Sequence, residues 1–192
     1  MTSSSSPGIS LKTEGISYIA GSDLPCLICN VSRGGPGLGG IQPSQADYWQ
    51  ATRALGHGDF HSLVFAPSTV QELVDLVFLA YDLAEKYRMP AVMLSDGLLG
   101  QMMEPVSFPE PVTSTNEKPW AANGHQNKRP HNVINSLYLN PDQLEATVVE
   151  RFARYDQVKA TEQRYEEYRC EDADYVIVAF GASSRVSKAA VD

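Results

Sequence analysis

The sequence has few cysteines, few basic residues and no long apolar run, and each shortage excludes a class of protein. Its three cysteines, Cys26, Cys29 and Cys170, are too few and too unevenly spaced for a disulfide framework. A net charge of -8 disfavours nonspecific attraction to nucleic acid or to anionic lipid. No apolar run approaches the roughly 20 residues that cross a bilayer, and residues 1–6 lack the features of a secretory signal. We therefore expect a cytoplasmic protein with no nucleic-acid and no membrane partner.

The first half of the chain alternates between predicted strands and helices, which indicates an α/β fold with a parallel sheet flanked by helices. Short apolar runs at residues 25–31, 63–66 and 90–95 predict buried strands. Apolar residues at helical spacing predict one helix over residues 8–22. A second helix is predicted after Pro67, with Ser68 as its cap and Gln71 reaching back.

The second half begins with a proline-rich stretch and divides the chain into three predicted parts. Residues 1–105 form a partial first domain, and residues 106–140 form a linker or an irregular excursion. Residues 141–192 form a helix, capped by Asn140 and running to about Tyr168, and then the start of a second α/β domain. That start consists of a strand at residues 174–181 and a helix from Ala182, which cannot bury their own apolar surface. The sequence is thus expected to break off inside this second domain.

A glycine-rich loop with one arginine follows the first of these predicted strands. Five of residues 34–40 are glycine, and Arg33 stands directly before them. Such a loop lets a ligand approach closely, and a guanidinium can bind a carboxylate or a phosphate through paired hydrogen bonds. Ligands bind beyond the carboxyl ends of parallel strands, so we expect Arg33 to face a cavity there that a neighbouring polypeptide completes. A mobile surface loop and a phosphate cradle are the alternatives, although the spacing matches neither common phosphate-binding motif.

Two other groups have the composition of a metal or catalytic site. Cys26 and Cys29 have the spacing of a redox or zinc pair, but on a strand they point to opposite faces, which favours core cysteines. His57, Asp59 and His61 offer two imidazoles and a carboxylate within one short segment. No further ligand follows at a recognisable spacing, so we predict no metal site in this chain.

Several segments, in order and spacing, resemble the α subunit of 2-oxoacid:ferredoxin oxidoreductases. The segments at 132–139 and 164–168 are most similar to the 2-oxoisovalerate members of that family. The other matching segments are residues 2–11, 30–37, 42–48, 56–59 and 66–72. This resemblance implies the pyrimidine module of a thiamine diphosphate-binding fold, incomplete in this sequence. It also implies an enzyme that oxidatively decarboxylates a 2-oxoacid, reduces ferredoxin and transfers the acyl group to coenzyme A.

The resemblance also assigns roles to particular residues. Arg33 matches the arginine that binds the substrate carboxylate, and residues 2–6 match a loop beside the thiazolium ring of the cofactor. The residues expected to line the cofactor are Thr2, Ser3, Ser4, Ser5, Gly34 and Gly35. The glutamate that hydrogen-bonds the aminopyrimidine lies upstream of this serine loop in the family. It is not contained in this sequence, and Glu14 lies on the wrong side of the loop to replace it.

Further subunits are implied by the same resemblance. The diphosphate and its magnesium ion are bound by a partner β subunit, and iron-sulfur clusters lie in additional chains. We therefore expect the isolated chain to be inactive. Two other hypotheses remain open, a non-catalytic module whose glycine loop docks a partner subunit and a nucleotide-binding α/β protein.

Overall fold

A four-stranded parallel sheet forms the centre of the molecule. The computed structural model describes residues 1–53, 55–110 and 117–192. The strands are β1 (Thr2–Ser4), β2 (Cys26–Ser32), β3 (Leu63–Phe65) and β4 (Pro90–Asp96). Their order is β1-β2-β4-β3, and every neighbouring pair is parallel. The three predicted strands are confirmed, whereas β1 is a short polar segment whose sequence does not indicate a strand.

Helices cover both faces of the sheet. They are α1 (Pro7–Ser10), α2 (Thr13–Gly21), α3 (Tyr48–Arg53), α4 (Val70–Tyr87), α5 (Pro141–Thr161) and α6 (Gly181–Val191). One core cluster joins β2, β3 and β4 to α4 and α5, and it includes Leu27, Leu83 and Tyr155. The other joins the opposite face to α1, α2 and α3, and it includes Ile9 and Ile16. The predicted α/β class with a parallel, helix-flanked sheet is thus confirmed.

The helix α4 connects the parallel strands β3 and β4, as the sequence predicts, but its cap lies one residue later than expected. The Thr69 side chain accepts a hydrogen bond from the backbone N–H of Glu72. The Glu72 carboxylate in turn accepts one from the backbone N–H of Ser68, 2.7 Å away. Ser68 and Gln71 were expected in these roles. Both registers fit a capping-box sequence, and the observed one places the negative charge of Glu72 in the first turn, where the helix dipole favours it.

The predicted helix over residues 8–22 is instead two helices, α1 and α2. The chain turns at Leu11 and Lys12 between them. Gly8 and Ser10 have weak helix propensity, so the first turn does not continue into α2. Ile9 and Ile16 are nevertheless both buried in one core cluster, which explains why their spacing resembles a single helix.

The helix α5 begins at Pro141 with Asn140 as its cap, as predicted, but it ends at Thr161 rather than near Tyr168. The Glu162 carboxylate that follows it accepts hydrogen bonds from Tyr87 Oη at 2.6 Å and from Lys86 Nζ at 2.9 Å. The residues beyond are polar and exposed, so no buried apolar face stabilises further turns of the helix. None of the helices in the described ranges has the length and apolarity to span a bilayer.

The predicted strand at residues 174–181 is absent, although the helix α6 follows it as expected. The segment is extended and exposed, with Val178 at 94% of its maximum exposure. Within the described parts of the chain no strand lies beside it, and a single strand has no partner for its backbone hydrogen bonds. The prediction is therefore wrong because this segment has no neighbouring strand among the described residues, although its β propensity is high.

The stretch predicted as a linker, residues 106–140, contains no helix or strand where the structure describes it. Residues 111–116 of this stretch, with Pro111, lie outside the described residues. Arg88 of the first half stacks over the Trp120 ring, with the guanidinium carbon 4.8 Å from the ring centroid. The division of the chain at residues 105 and 140 into domains stays a prediction.

Candidate functional site

The carboxyl ends of β1 and β2 bring the serine segment next to Arg33. Ser6, which is 7% exposed, follows β1 and turns back towards β2. The Arg33 backbone N–H donates to Ser6 Oγ at 3.0 Å, and the Ser6 backbone N–H donates to Asn30 Oδ1 at 3.0 Å. Two groups that the sequence assigns to one site, residues 2–5 and Arg33, thus lie at the same edge of the sheet.

A carboxylate from a third segment completes this arrangement. Asp47 Oδ2 accepts hydrogen bonds from Ser6 Oγ at 2.8 Å and from Asn30 Nδ2 at 2.9 Å. Asn30 Nδ2 also lies 3.3 Å from Gln50 Oε1. We call these five residues, Ser6, Asn30, Arg33, Asp47 and Gln50, the Ser6 network. The sequence alone assigns no role to Asn30, Asp47 or Gln50, and the one available signal is Asn30, an amide inside an apolar run.

The glycine loop closes on itself above this network. The Gly34 N–H donates to the Gln42 carbonyl and the Gly40 N–H donates to the Gly34 carbonyl, each at 2.9 Å. A Cβ atom on Gly39 would lie 1.7 Å from the Gly34 carbonyl oxygen, so the loop requires glycine there. The Arg33 side chain is half-buried, and its Nη2 donates to the Leu38 carbonyl at 3.2 Å. The guanidinium therefore lies against its own loop.

The expected cofactor residues lie along β1 and at the start of the glycine loop. Thr2 Oγ1 accepts a hydrogen bond from Lys12 Nζ at 2.6 Å, which occupies one side of that hydroxyl. Ser4 packs directly on α1, because a Cβ atom added to Gly8 would lie 2.0 Å from Ser4 Oγ. The Ser3 side chain is exposed. Thr2 and Ser4 thus have intramolecular roles, whereas Ser3 is open to a ligand or a partner chain.

Ser5 and the two loop glycines are the remaining members of that set. Ser5 is half-buried, and its carbonyl accepts the Gly8 N–H at 2.9 Å in the first turn of α1. Gly34 is half-buried and Gly35 is exposed. Open space surrounds the Cα of Gly35, because an added Cβ would meet no atom within 4 Å. These positions leave one face of the loop accessible.

A small cleft lies beside this site, at the carboxyl ends of β2 and β4. It is lined by Ser32, Ser44, Gln45, Pro67, Leu94, Ser95, Asp96, Phe180 and Gly181. Its volume of about 10 Å³ has room for one water molecule. Arg33 is not among the lining residues of this cleft, and the expectation that its guanidinium faces a cavity completed by a neighbouring polypeptide stays a prediction. The loop's own Leu38 carbonyl holds the side chain elsewhere.

The far wall of the cleft is the beginning of α6. Gln45 Nε2 donates to the Phe180 carbonyl at 2.7 Å, and Ser183 Oγ donates to Gln45 Oε1 at 2.8 Å. Asp96 Oδ1 accepts the backbone N–H groups of Leu98 and Leu99, at 2.9 and 3.0 Å. The buried carboxylate of Asp96 therefore shapes the turn after β4.

The two candidate metal or redox groups have structural surroundings. Cys26 packs against one core cluster and Cys29 against the other, so the two side chains point to opposite faces as predicted. Burial raises the pKa of the Cys29 thiol. The His61 ring packs edge-on against Tyr155, with centroids 5.0 Å apart, and His57 is exposed. No group of three or more His, Cys, Asp or Glu side chains in the described ranges is arranged to hold a metal ion.

Comparison with known proteins relates this chain to one enzyme family. The family described as pyruvate flavodoxin/ferredoxin oxidoreductase, thiamine diphosphate-binding, matches residues 1–172. Ketoisovalerate oxidoreductase subunit VorB of Methanothermobacter marburgensis is 49% identical over 193 residues, which cover 100% of this chain and 54% of that subunit. 2-Oxoglutarate synthase subunit KorA of Archaeoglobus fulgidus is 33% identical and covers 98% of this chain and 55% of that subunit.

The chain thus spans about half the length of the curated relatives it matches. A solved structure also matches, the 2-oxoglutarate:ferredoxin oxidoreductase from Magnetococcus marinus with 2-oxoglutarate, coenzyme A and succinyl-CoA bound. Its TM-score is 0.65 at 25% identity, over 86% of this chain and 33% of that one. The parallel sheet with its flanking helices is therefore a thiamine diphosphate-binding fold. On the match over residues 1–172 and the full-length similarity to VorB, the chain belongs to the pyruvate flavodoxin/ferredoxin oxidoreductase family, in its thiamine diphosphate-binding part.

Proposed function

We propose that this chain is part of the α subunit of a 2-oxoacid:ferredoxin oxidoreductase that converts 2-oxoisovalerate to its acyl-CoA and reduces ferredoxin. The observation that carries the proposal is the hydrogen bond between the Arg33 backbone and Ser6, which brings a cation and the serine segment to one edge of the sheet. The names of the relatives support the substrate, because the 49% identical one is a ketoisovalerate oxidoreductase subunit. Residues 1–105 then supply a partial pyrimidine-binding domain.

In this proposal Arg33 binds the carboxylate of the 2-oxoacid. A guanidinium presents two parallel N–H groups, which match the two oxygens of a carboxylate. Its present acceptor, the Leu38 carbonyl, is neutral and lies in an exposed loop. A carboxylate accepts two parallel hydrogen bonds from a guanidinium and carries the opposite charge, whereas the Leu38 carbonyl accepts one, so a substrate carboxylate displaces this contact.

The hydroxyl groups of the serine segment fit the ring part of thiamine diphosphate rather than its diphosphate. Ser3 and Ser5 offer hydroxyl groups in the segment that Ser6 joins to Arg33, and the glycine loop after Arg33 lets a ring system approach its backbone. Within the described residues no cluster of carboxylates stands ready for a magnesium ion. We therefore assign the diphosphate and its magnesium to a partner β subunit, and the iron-sulfur clusters to other chains.

The chemistry then divides between the cofactor and this chain. When bound, thiamine diphosphate supplies the electron sink that lets a 2-oxoacid lose carbon dioxide. Arg33 orients the substrate through its carboxylate. Coenzyme A, ferredoxin and the partner subunits complete the reaction, so the isolated chain is inactive.

A second candidate is a non-catalytic module that docks a partner subunit through the glycine loop. Leu38 and Ile41 favour it, because these loop residues are 83% and 87% exposed. Exposed apolar side chains near one another are typical of a surface that another chain covers. The two candidates differ in what the loss of Arg33 does.

The test is a pair of substitutions in the complete, assembled enzyme. In Arg33→Ala we expect the KM for 2-oxoisovalerate to rise about 10- to 100-fold, the loss of one charge-assisted interaction, with assembly intact. Arg33→Lys keeps the charge without the paired geometry and recovers part of this loss. Arg53→Ala is the matched control, because that arginine is exposed and stacks on Trp49.

Assembly is followed by size-exclusion chromatography, and activity by reduction of a viologen acceptor. Lost assembly of Arg33→Ala, with an unchanged KM in whatever complex remains, would support the docking module. Turnover of any 2-oxoacid by the isolated chain would contradict the division of labour between subunits.

A further inference from the structure

We infer that Asp47 is a positioning residue, which fixes the backbone of Arg33 through the hydroxyl of Ser6. The inference rests on the proposed role of Arg33 as the substrate-binding group. No metal, cofactor or partner is needed for the contacts themselves. They join three segments that are distant in sequence, the end of β1, the end of β2 and the beginning of α3.

The direction of the hydrogen bonds shows that Asp47 determines the orientation of the Ser6 hydroxyl. Ser6 Oγ carries one hydrogen and can donate it to Asp47 Oδ2 at 2.8 Å or to the Arg33 carbonyl at 3.3 Å. A carboxylate is the stronger acceptor at the shorter distance, so it takes this hydrogen. The lone pairs of Ser6 Oγ are then free to accept the Arg33 backbone N–H at 3.0 Å.

Without the carboxylate this order reverses. The Ser6 hydroxyl then has the Arg33 carbonyl as its remaining acceptor, and its rotation weakens the bond to the Arg33 N–H. Asn30 Nδ2 also loses its 2.9 Å partner and keeps only the longer, 3.3 Å contact with Gln50 Oε1, although Asn30 is 1% exposed. A buried donor that is poorly paired is costly, so the segment around Arg33 shifts.

The position of Arg33 depends on its hydrogen bond to Ser6, because the loop that follows Arg33 is poor in side chains. Five of residues 34–40 are glycine, which gives the backbone many accessible conformations. Ser6 itself is held at a φ of 41°, a region that residues other than glycine seldom adopt. Its N–H bond to Asn30 and its hydroxyl bond to Asp47 maintain that conformation.

The experiment is a double-mutant cycle in the assembled enzyme, with Asp47→Ala, Arg33→Ala and both together. For Asp47→Ala we expect the KM for 2-oxoisovalerate to rise about tenfold while kcat changes less than about twofold, because binding geometry is lost rather than chemistry. In the Arg33→Ala background the same substitution is expected to have no further effect on KM. Asp47→Asn keeps an acceptor oxygen and restores part of the loss.

A second readout does not depend on activity. Hydrogen exchange of the peptide that contains the Arg33 amide is expected to be faster in Asp47→Ala and intermediate in Asp47→Asn. Asp82→Ala is the matched control, since it removes an exposed carboxylate from α4 and leaves both readouts unchanged. If Asp47→Ala does not fold, Asp47→Asn and Ser6→Ala carry the same comparison.

The outcomes separate this inference from the proposed function. Full additivity of the two substitutions, or unchanged exchange at Arg33 in Asp47→Ala, overturns the role of Asp47. An unchanged KM in Arg33→Ala overturns the proposed function of Arg33. Faster hydrogen exchange in Asp47→Ala would in that case still support the inference that Asp47 fixes the backbone of Arg33.

Discussion

Asn30 is the residue on which most of the local geometry around the candidate site depends. It lies in a strand that is otherwise apolar, and it is 1% exposed. Its carbonyl oxygen accepts the Ser6 N–H, and its amide donates to Asp47 and Gln50. Both ends of the side chain are therefore used in a buried environment, where each hydrogen bond has its largest effect.

We predict that Asn30→Ala lowers the free energy of unfolding by about 2 to 4 kcal/mol. The substitution leaves the buried Ser6 N–H without its acceptor, which costs about 1 to 3 kcal/mol, and it removes one of the two hydrogen bonds that Asp47 accepts, worth about 1 kcal/mol. Gln50→Ala is the comparison, because it removes only a 3.3 Å contact with Asn30 and an exposed hydrogen bond to Ser10 Oγ. Urea unfolding followed by circular dichroism measures both, and equal effects for the two variants would contradict the importance of Asn30.

For single residues, the sequence is a good guide to which side chains belong to the candidate site. It is a poorer guide to the contacts that those side chains make. The sequence identifies Arg33 by its place between a strand and a glycine loop, and the structure puts it beside the serine segment. It does not identify Asp47, because the bonds of that residue go to Ser6 and Asn30 in other segments. Local patterns carry no information on such long-range polar contacts. For the same reason the sequence gives no sign that the Leu38 carbonyl holds the Arg33 side chain.

Among the elements, α4 shows how a correct helix can have its start misassigned. The sequence offers Ser68 and Thr69 in succession, each followed three residues later by a side chain that can reach back. Propensity does not distinguish these registers, whereas the structure uses Thr69 and Glu72.

We predict that Thr69→Ala lowers the free energy of unfolding by about 1 kcal/mol, the usual effect of losing an N-cap. Gln71→Ala is the matched comparison, because Gln71 is not part of the cap and binds Asp75 and the Ser107 carbonyl at the surface. Thermal unfolding of both variants gives the answer. If Gln71→Ala lowers the free energy of unfolding more than Thr69→Ala does, the cap formed by Ser68 and Gln71 is supported instead.

The helix α5 contacts the first half of the chain through an aromatic cluster and an ion pair. His61 packs edge-on against Phe152 and Tyr155, with ring centroids 5.7 and 5.0 Å away. Asp23 binds Arg151, with the Arg151 Nε 3.0 Å from Oδ1, and it also binds Arg154. These contacts explain why the helix after the irregular stretch is ordered against the sheet.

The packing of α5 makes stability depend on pH. Burial, and then the charge of Lys159, hold the pKa of His61 below its ordinary value of 6.5. The unfolded state therefore binds more protons in this range, so stability falls as the pH drops from 6.5 towards the lowered pKa. The acidic neighbours Asp156 and Asp59 oppose this shift only in part.

We predict that the melting temperature of the wild-type chain falls more between about pH 7.5 and pH 5.5 than that of His61→Gln, which cannot titrate there. His57→Gln is the control, since His57 is exposed and lies in the same loop. An identical pH dependence in wild type and His61→Gln would show that the packing of His61 does not couple protonation to folding.

For the whole molecule, the sequence correctly predicts the central strands of the sheet, but it misses the short strand β1 and predicts a strand near the end of the chain that does not form. Continuous apolar runs identify β2, β3 and β4, because a strand buried on both faces needs little else. They also predict a strand at residues 174–181, where the run is present but the described part of the chain has no strand beside it. The short strand β1 has no such run, and its pairing with β2 determines its conformation.

The family relationship gives this architecture its functional meaning. The chain spans about half the length of the curated relatives it matches, and its two candidate groups, Arg33 and the serine segment, meet at one edge of the sheet. That edge is accessible along Ser3 and Gly35, where a partner chain can complete the site. In the proposed function, Arg33 recognises the carboxylate of a 2-oxoacid at this edge.

The most direct test of this recognition compares 2-oxoisovalerate with its methyl ester, which lacks the negative charge, in the assembled enzyme. Dissociation constants measured by calorimetry should favour the acid by about 10- to 100-fold in the wild type, as expected for one charge-assisted pair. In Arg33→Ala we predict that this preference disappears and that the ester binds as it does to the wild type. If Arg33→Ala still prefers the acid by the wild-type factor, another group binds the carboxylate and the account of Arg33 is wrong.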